Sequence, residues 1–221
     1  MKNTVVLFDG FNLYHALIEK YRGQRPFEKY KWLDYQALAQ ELLSPSETLS
    51  KVYLFTTYPI SGMYAWRVKK ARHMALLKVQ RDRGIRVVMG RFARRKRRCL
   101  VPRKNRGCRK SFTKHEEKRT DVNIAVALVA LAYENAFDNA LLVSADSDLI
   151  PAVKAAKKAH PSGRIVNVAP IGRGHQAQIL ANECHAKLLM REKHLKAALL
   201  PREVQLRSGK IVTCPTPWNH A

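Results

Sequence analysis

Apolar and polar residues follow two rhythms along the chain. Short apolar runs, at residues 5–8 (VVLF), 85–89 (IRVVM), 140–144 (ALLVS) and 164–169 (RIVNVA), alternate with longer stretches that carry helical patterns. A continuous apolar run predicts a strand covered on both faces, and strands alternating with helices predict a parallel sheet wrapped by helices. Residues 51–58 (KVYLFTTY) predict a further strand, stopped by Pro59. Helices are predicted from 11 to 18, 33 to 43 and 63 to 83, the last ended by Gly84. Thr120 is an N-cap candidate for the nearly all-apolar stretch 122–132 (VNIAVALVALA), which predicts a helix enclosed within the layers. Helices are also expected over 149–159 and 176–196. Residues 1–200 are thus expected to form one α/β domain, and residues 201–221, with Pro201, Pro215 and Pro217, an extended C-terminal tail.

Residues 91–119 break this rhythm. Fourteen of the 29 positions are Lys or Arg and only Glu116 and Glu117 are acidic, so the segment offers no core and reads as an exposed basic insertion. It exaggerates the balance of the whole chain. Across 221 residues, 41 Lys and Arg oppose 17 Asp and Glu, a formal +24. Self-repulsion on that scale points to a polyanionic partner, with nucleic acid favoured over an anionic membrane. No apolar run approaches the roughly 20 residues of a spanning helix. Asp9 interrupts the N-terminal apolar run too early for a secretory signal, so a cytoplasmic protein is expected. Its four cysteines, Cys99, Cys108, Cys184 and Cys214, are then thiols or metal ligands.

With so few acids, their placement carries information. Asp9 directly follows the first strand (FDGFN), and Asp146 and Asp148 directly follow the 140–144 strand (SADSD). Open parallel sheets bind ligands beyond the carboxyl ends of their strands, where the strand order reverses. If those two strands are neighbours, Asp9 and Asp146 face each other there, and Asp121 in the first turn of the apolar helix projects to the same place. Clustered carboxylates suit a hard divalent cation such as Mg²⁺ or Mn²⁺, which activates water and offsets charge on a phosphodiester. Asn12 supplies an amide nearby. The alternative for each acid is a helix cap or a first-turn dipole partner.

Three elements together, DGFN at 9–12, EKRTDVNIAVAL at 117–128 and LLVSADSDLIPAV at 141–153, resemble the NYN domains, the PIN-like domains of the bacterial LabA type. The resemblance covers residues 3–190. It implies a PIN-like three-layer α/β fold with a central, mostly parallel five-stranded sheet, an Mg²⁺ or Mn²⁺ site, and endoribonuclease activity. Position by position it implies that Asp9, Asp121 and Asp146 hold the metal and that Asp148 is the fourth acid. Asn12 matches the asparagine of the first motif, and Ser144 the small hydroxyl residue before the last.

For the insertion, Arg94, Arg95, Lys96, Arg97, Arg98, Arg103, Lys104, Arg106, Arg109 and Lys110 are expected to contact RNA phosphates, with DNA also open. Arg173, in a loop at the same sheet end, is expected to join them. Phe92 and Phe112 are candidates to stack on unpaired bases. Cys99, Cys108 and His115 have the ligand types of a Zn²⁺ site, but eight residues separate the cysteines, and free thiols are favoured. Two rival functions stay open: an inactive RNA-binding or adaptor module on the same fold, and a nucleotide-sugar transferase using Asp146-Ser147-Asp148 as a metal clasp. A homo-oligomer is also compatible with the sequence.

Overall fold

Strand β1 (Lys2–Asp9) lies at the centre of a six-stranded sheet, flanked by β2 (Glu47–Thr56) and β6 (Asn139–Val143). The computed structural model describes residues 1–19, 23–99 and 110–218. Outward from β2 lies β3 (Arg86–Met89), and outward from β6 lie β7 (Arg164–Ala169) and β8 (Ala186–Leu189), every pairing parallel. Between the strands run α1 (Gly10–Ile18), α2 (Tyr35–Glu41), α3 (Trp66–Asp82), α4 (Thr120–Tyr133), α5 (Ile150–Ala159), α6 (Gln178–Glu183) and α7 (Glu192–Ala197). The expected PIN-like three-layer α/β fold is present, with six sheet strands where five were expected.

Two-residue periodicity sorts β1 between two cores. Val6 and Phe8 pack with Leu13 and Leu17 of α1, Leu38 of α2 and Leu77 of α3. Val5 and Leu7 pack on the opposite face with Ile124 and Leu128 of α4 and Val153 of α5. This explains why the run carries no polar residue until Asp9. Among the described residues no helix is long and apolar enough to cross a membrane.

Four expectations are revised. The predicted helix 176–196 divides into α6, β8 and α7. Cys184 turns extended, and His185 N–H donates to Ile165 O at 2.8 Å, delivering the chain to the open edge of β7. A ladder partner there outweighs local helix propensity. The apolar helix α4 is not enclosed: it buries Ile124, Leu128 and Leu131 but leaves Val122, Val126 and Tyr133 largely exposed. The basic insertion is an ordered antiparallel ribbon, β4 (Arg91–Arg98) with β5 (Ser111–Lys118), as far as it is described.

The segment expected to be an extended tail instead folds back as a hairpin, β9 (Glu203–Gln205) with β10 (Ile211–Thr213). Gly209, at φ +79, makes a turn that favours glycine. Val204, Leu206, Val212 and Cys214 are buried in the same core as Phe8, and Trp32 Nε1 donates to Pro201 O. Leu206→Ala should therefore cost about 2–5 kcal/mol, read as a lowered denaturant midpoint. A residue in a solvated tail would leave the midpoint unchanged.

Candidate functional site

Asp9 continues the alternation of Val5 and Leu7, so its side chain emerges on the face covered by α4. The strand order reverses between β1 and β6, and Phe8 pairs with Val143 there. Ser144, next after β6, thus arrives beside Asp9, and its hydroxyl donates to Asp9 Oδ2 at 2.9 Å. Asp121 belongs to the first turn of α4 on that same face. The corner leading into α4 is unusual: Arg119 is held at φ +80, a left-handed conformation that any Cβ disfavours. Glu117 secures it by accepting from the Thr120 N–H and hydroxyl.

Hydrogen bonds fix the rest. Asp9 Oδ1 accepts the Asn12 N–H at 2.9 Å, capping α1, and Asp146 Oδ1 accepts the Asp148 N–H at 2.9 Å. Asn12 Oδ1 accepts the Ala145 N–H and Ser144 Oγ accepts the Asp146 N–H. Asn12 and Ser144 therefore hold the acids in place. Asp9 is 3% exposed, and burial pushes its carboxyl up to about 6, with the charges of Asp121 and Asp146 adding to the rise. Burial also pushes Asp121 up to about 6, followed by Asp146, Glu117 and Asp148. Asp9 thus feels the charges of Asp121 and Asp146, and Asp121 those of Asp146 and Asp148, at the end of the sheet.

Two residues at this site escaped the sequence reading. Glu117 is a further carboxylate close enough to raise Asp121, and it caps α4. The cue was available, since it stands three residues before Thr120 in an otherwise basic segment. Asn167 of β7 is fully buried and its Nδ2 donates to the carbonyls of Leu142 and Ser144. It braces the turn that carries Asp146, but a lone Asn in an apolar strand gives no sequence signal of that role.

The basic candidates divide by position. Residues directly opposite in the ribbon share a face, so Arg91, Arg95, Arg97, Phe112, Lys114, Glu116 and Lys118 lie on one side. Phe92, Arg94, Lys96, Arg98, His115 and Glu117 lie on the other. The second side meets the body: Phe92 packs edge-on to Phe11 at 6.0 Å, and Arg94 donates to Ser61. The first side borders an open groove with Arg119, Val122 and Asn123 of the α4 corner. Arg173 is drawn to Glu19 at 3.0 Å. Arg103, Lys104, Arg106, Arg109 and Cys108 lie outside the described residues. Cys99 N–H donates to Lys110 O at the far end of the ribbon, whereas His115 pairs with Arg94, five residues nearer its base. That separation is roughly 17 Å along a strand.

Among the described residues, no three His, Cys, Asp or Glu side chains are disposed to hold a metal ion as they stand, and the Asp9 and Asp146 carboxylates are turned to backbone and hydroxyl donors. In donor chemistry the set fits a hard divalent cation, being all carboxylate oxygen with two members raised by burial and mutual repulsion. The same repulsion has a consequence for stability. With folded values near 6 against 3.8, Asp9 and Asp121 bind more protons folded than unfolded between those limits. They therefore lose stability as pH rises through that window and lack it above. His73, pushed down to about 4 mainly by burial, has the opposite sign, so variants must be compared with wild type rather than pH values with one another. Asp9→Asn should raise metal-free stability at pH 7 by about 2 kcal/mol, with the gain vanishing near pH 4. Asp121→Asn should do the same less strongly, its group being less deeply buried than Asp9. Urea unfolding at the two pH values reads both.

The chain is 27% identical to 6-hydroxy-3-succinoylpyridine 3-monooxygenase HspA of Pseudomonas putida over 97% of its own length and 75% of that protein. A crystal structure of a protein of unknown function from Vibrio parahaemolyticus aligns with a TM-score of 0.49 at 16% identity, covering 90% of this chain and 96% of the other. The NYN domain model matches residues 3–189. With the parallel sheet and the three acidic elements inside that span, the chain belongs to the NYN domain family and has a nuclease-like fold.

Proposed function

We propose that this protein is a metal-dependent endoribonuclease that hydrolyses RNA phosphodiester bonds. The observation that carries the reading is the convergence of Asp9, Asp121, Asp146 and Asp148 at the β1/β6 switch point, beside a groove bordered by Arg91, Arg95, Lys118 and Arg119. Asp9, Asp121 and Asp146 would hold Mg²⁺ or Mn²⁺, with Asp148 adding negative charge. When bound, the cation supplies a lowered water pKa and charge stabilisation at phosphate. Ser144 and Asn12 keep Asp9 and Asp146 in register, since a carboxylate misplaced by 1 Å loses much of its effect. The cations of the groove hold the RNA backbone without reading its sequence. A soluble, cytoplasmic setting is part of the same proposal, since RNA is the substrate.

A second reading rests on the 27% identity to the named monooxygenase across nearly the whole chain. A monooxygenase consumes O₂ and an external reductant as it oxygenates its substrate. The open, cationic groove suits a polyanion better than a small ring. Oxygen uptake with 6-hydroxy-3-succinoylpyridine and reduced nicotinamide should stay at the level without protein, and uptake above that level would favour the second reading.

The nuclease and the inactive binding module separate on one variant. Asp146→Asn should abolish single-turnover cleavage in Mn²⁺ while leaving RNA affinity unchanged or slightly tighter, because transition-state stabilisation goes and ground-state charge contacts remain. Wild type that binds RNA but cleaves no faster than Asp146→Asn in any divalent metal would make it a binding module.

A further inference from the structure

Among the described aromatics of the insertion, the ribbon assigns opposite positions. Phe92 is used up against Phe11, whereas Phe112 is 52% exposed and stands directly opposite Arg97 on the groove side. That side also gathers charge. Arg95, Arg97, Lys114 and Lys118 all lie within 4 Å of the Glu116 carboxylate, at 3.6, 3.0, 3.8 and 3.3 Å. One carboxylate cannot neutralise four cations, and their side chains remain 43–60% exposed. Glu116 instead gathers them on one face across both strands, so less side-chain freedom is lost when they meet an anion.

We infer that the outward face of the β4–β5 ribbon is an accessory RNA site that stacks one unpaired base on Phe112 and seats the adjoining phosphates on Arg95, Arg97 and Lys114. The inference rests on the reading that the polyanion is RNA. A cationic track beside an exposed ring is the combination that binds unpaired nucleic acid, because every base offers a π-face. A duplex covers those faces by stacking, and the major groove of A-form RNA is too deep and narrow for the ribbon's side chains. Lys118 at the ribbon base is six positions along from Phe112, roughly 20 Å of strand. The stacked base therefore lies several nucleotides from Asp121, on a strand that runs along Arg91, Arg95 and Arg119 toward the acids.

Binding in EDTA, which stops metal-dependent cleavage, tests this with the full chain, a fluorescein-labelled oligouridylate and a blunt RNA duplex of equal length. Phe112→Ala should weaken binding of the single strand about five- to a hundredfold and leave the duplex unchanged. Phe112→Trp should keep the affinity, and difference spectra against wild type should show its indole emission quenched by the oligouridylate. Wild-type affinity in Phe112→Ala, or equal losses for single strand and duplex, overturns the site. Failure of wild type to bind either RNA overturns both this inference and the nuclease reading. Tight, Phe112-dependent binding without cleavage in Mn²⁺ removes only the nuclease reading and supports the accessory site.

Discussion

A carboxylate buried at the end of a central strand governs much of this molecule. Asp9 cannot turn to water, so its charge is met by the Asn12 N–H and the Ser144 hydroxyl, which bind α1 and the β6 turn to the end of β1. Those two bonds do not offset the burial, and the carboxyl stays raised. Asp121 and Asp146 aggravate the imbalance rather than relieve it. A fold selected for stability alone would place an apolar or amide residue there. Like charges retained at a cost in stability are what motivates the cation in the proposed function.

The scaffold follows from that requirement. Parallel strands buried on both faces deliver their carboxyl ends to one rim, and the reversal between β1 and β6 leaves room between helices. The left-handed corner at Arg119 and its Glu117 cap then start α4 so that Asp121 falls in its first turn. Asn167 braces the opposing wall from beneath. The ribbon stands at the entrance as a direct extension of the α4 corner, which couples the cationic surface to the acidic one through a short stretch of chain.

What the sequence made legible was what local pattern and period encode. The apolar runs placed β1, β6 and β7, and Asp9, Asp121, Asp146 and Asp148 stood where a parallel sheet collects them. Features decided by distant partners were hidden. Strand β8 exists because β7 offers an open edge to a segment with helical composition, and the C-terminal hairpin orders because Val204 and Leu206 find the core around Phe8. The basic run concealed its alternation, since nearly every residue was charged, and only strand pairing separates Arg95 and Arg97 from Arg94 and Lys96. The outward apolar stripe of α4 was invisible for the converse reason: uniform apolarity gives no clue to which side is covered.

On the proposed function, the acids form one cation site whose mutual repulsion a metal relieves. Thermal unfolding at pH 7 with and without Mn²⁺, for wild type and Asp121→Asn, measures this most directly. Wild type should gain thermal stability with Mn²⁺ through preferential binding to the folded state. Asp121→Asn should start higher without metal and gain little with it. An equal Mn²⁺-dependent rise in both proteins, or none in wild type, would rule out a cation held by Asp121 and its neighbours.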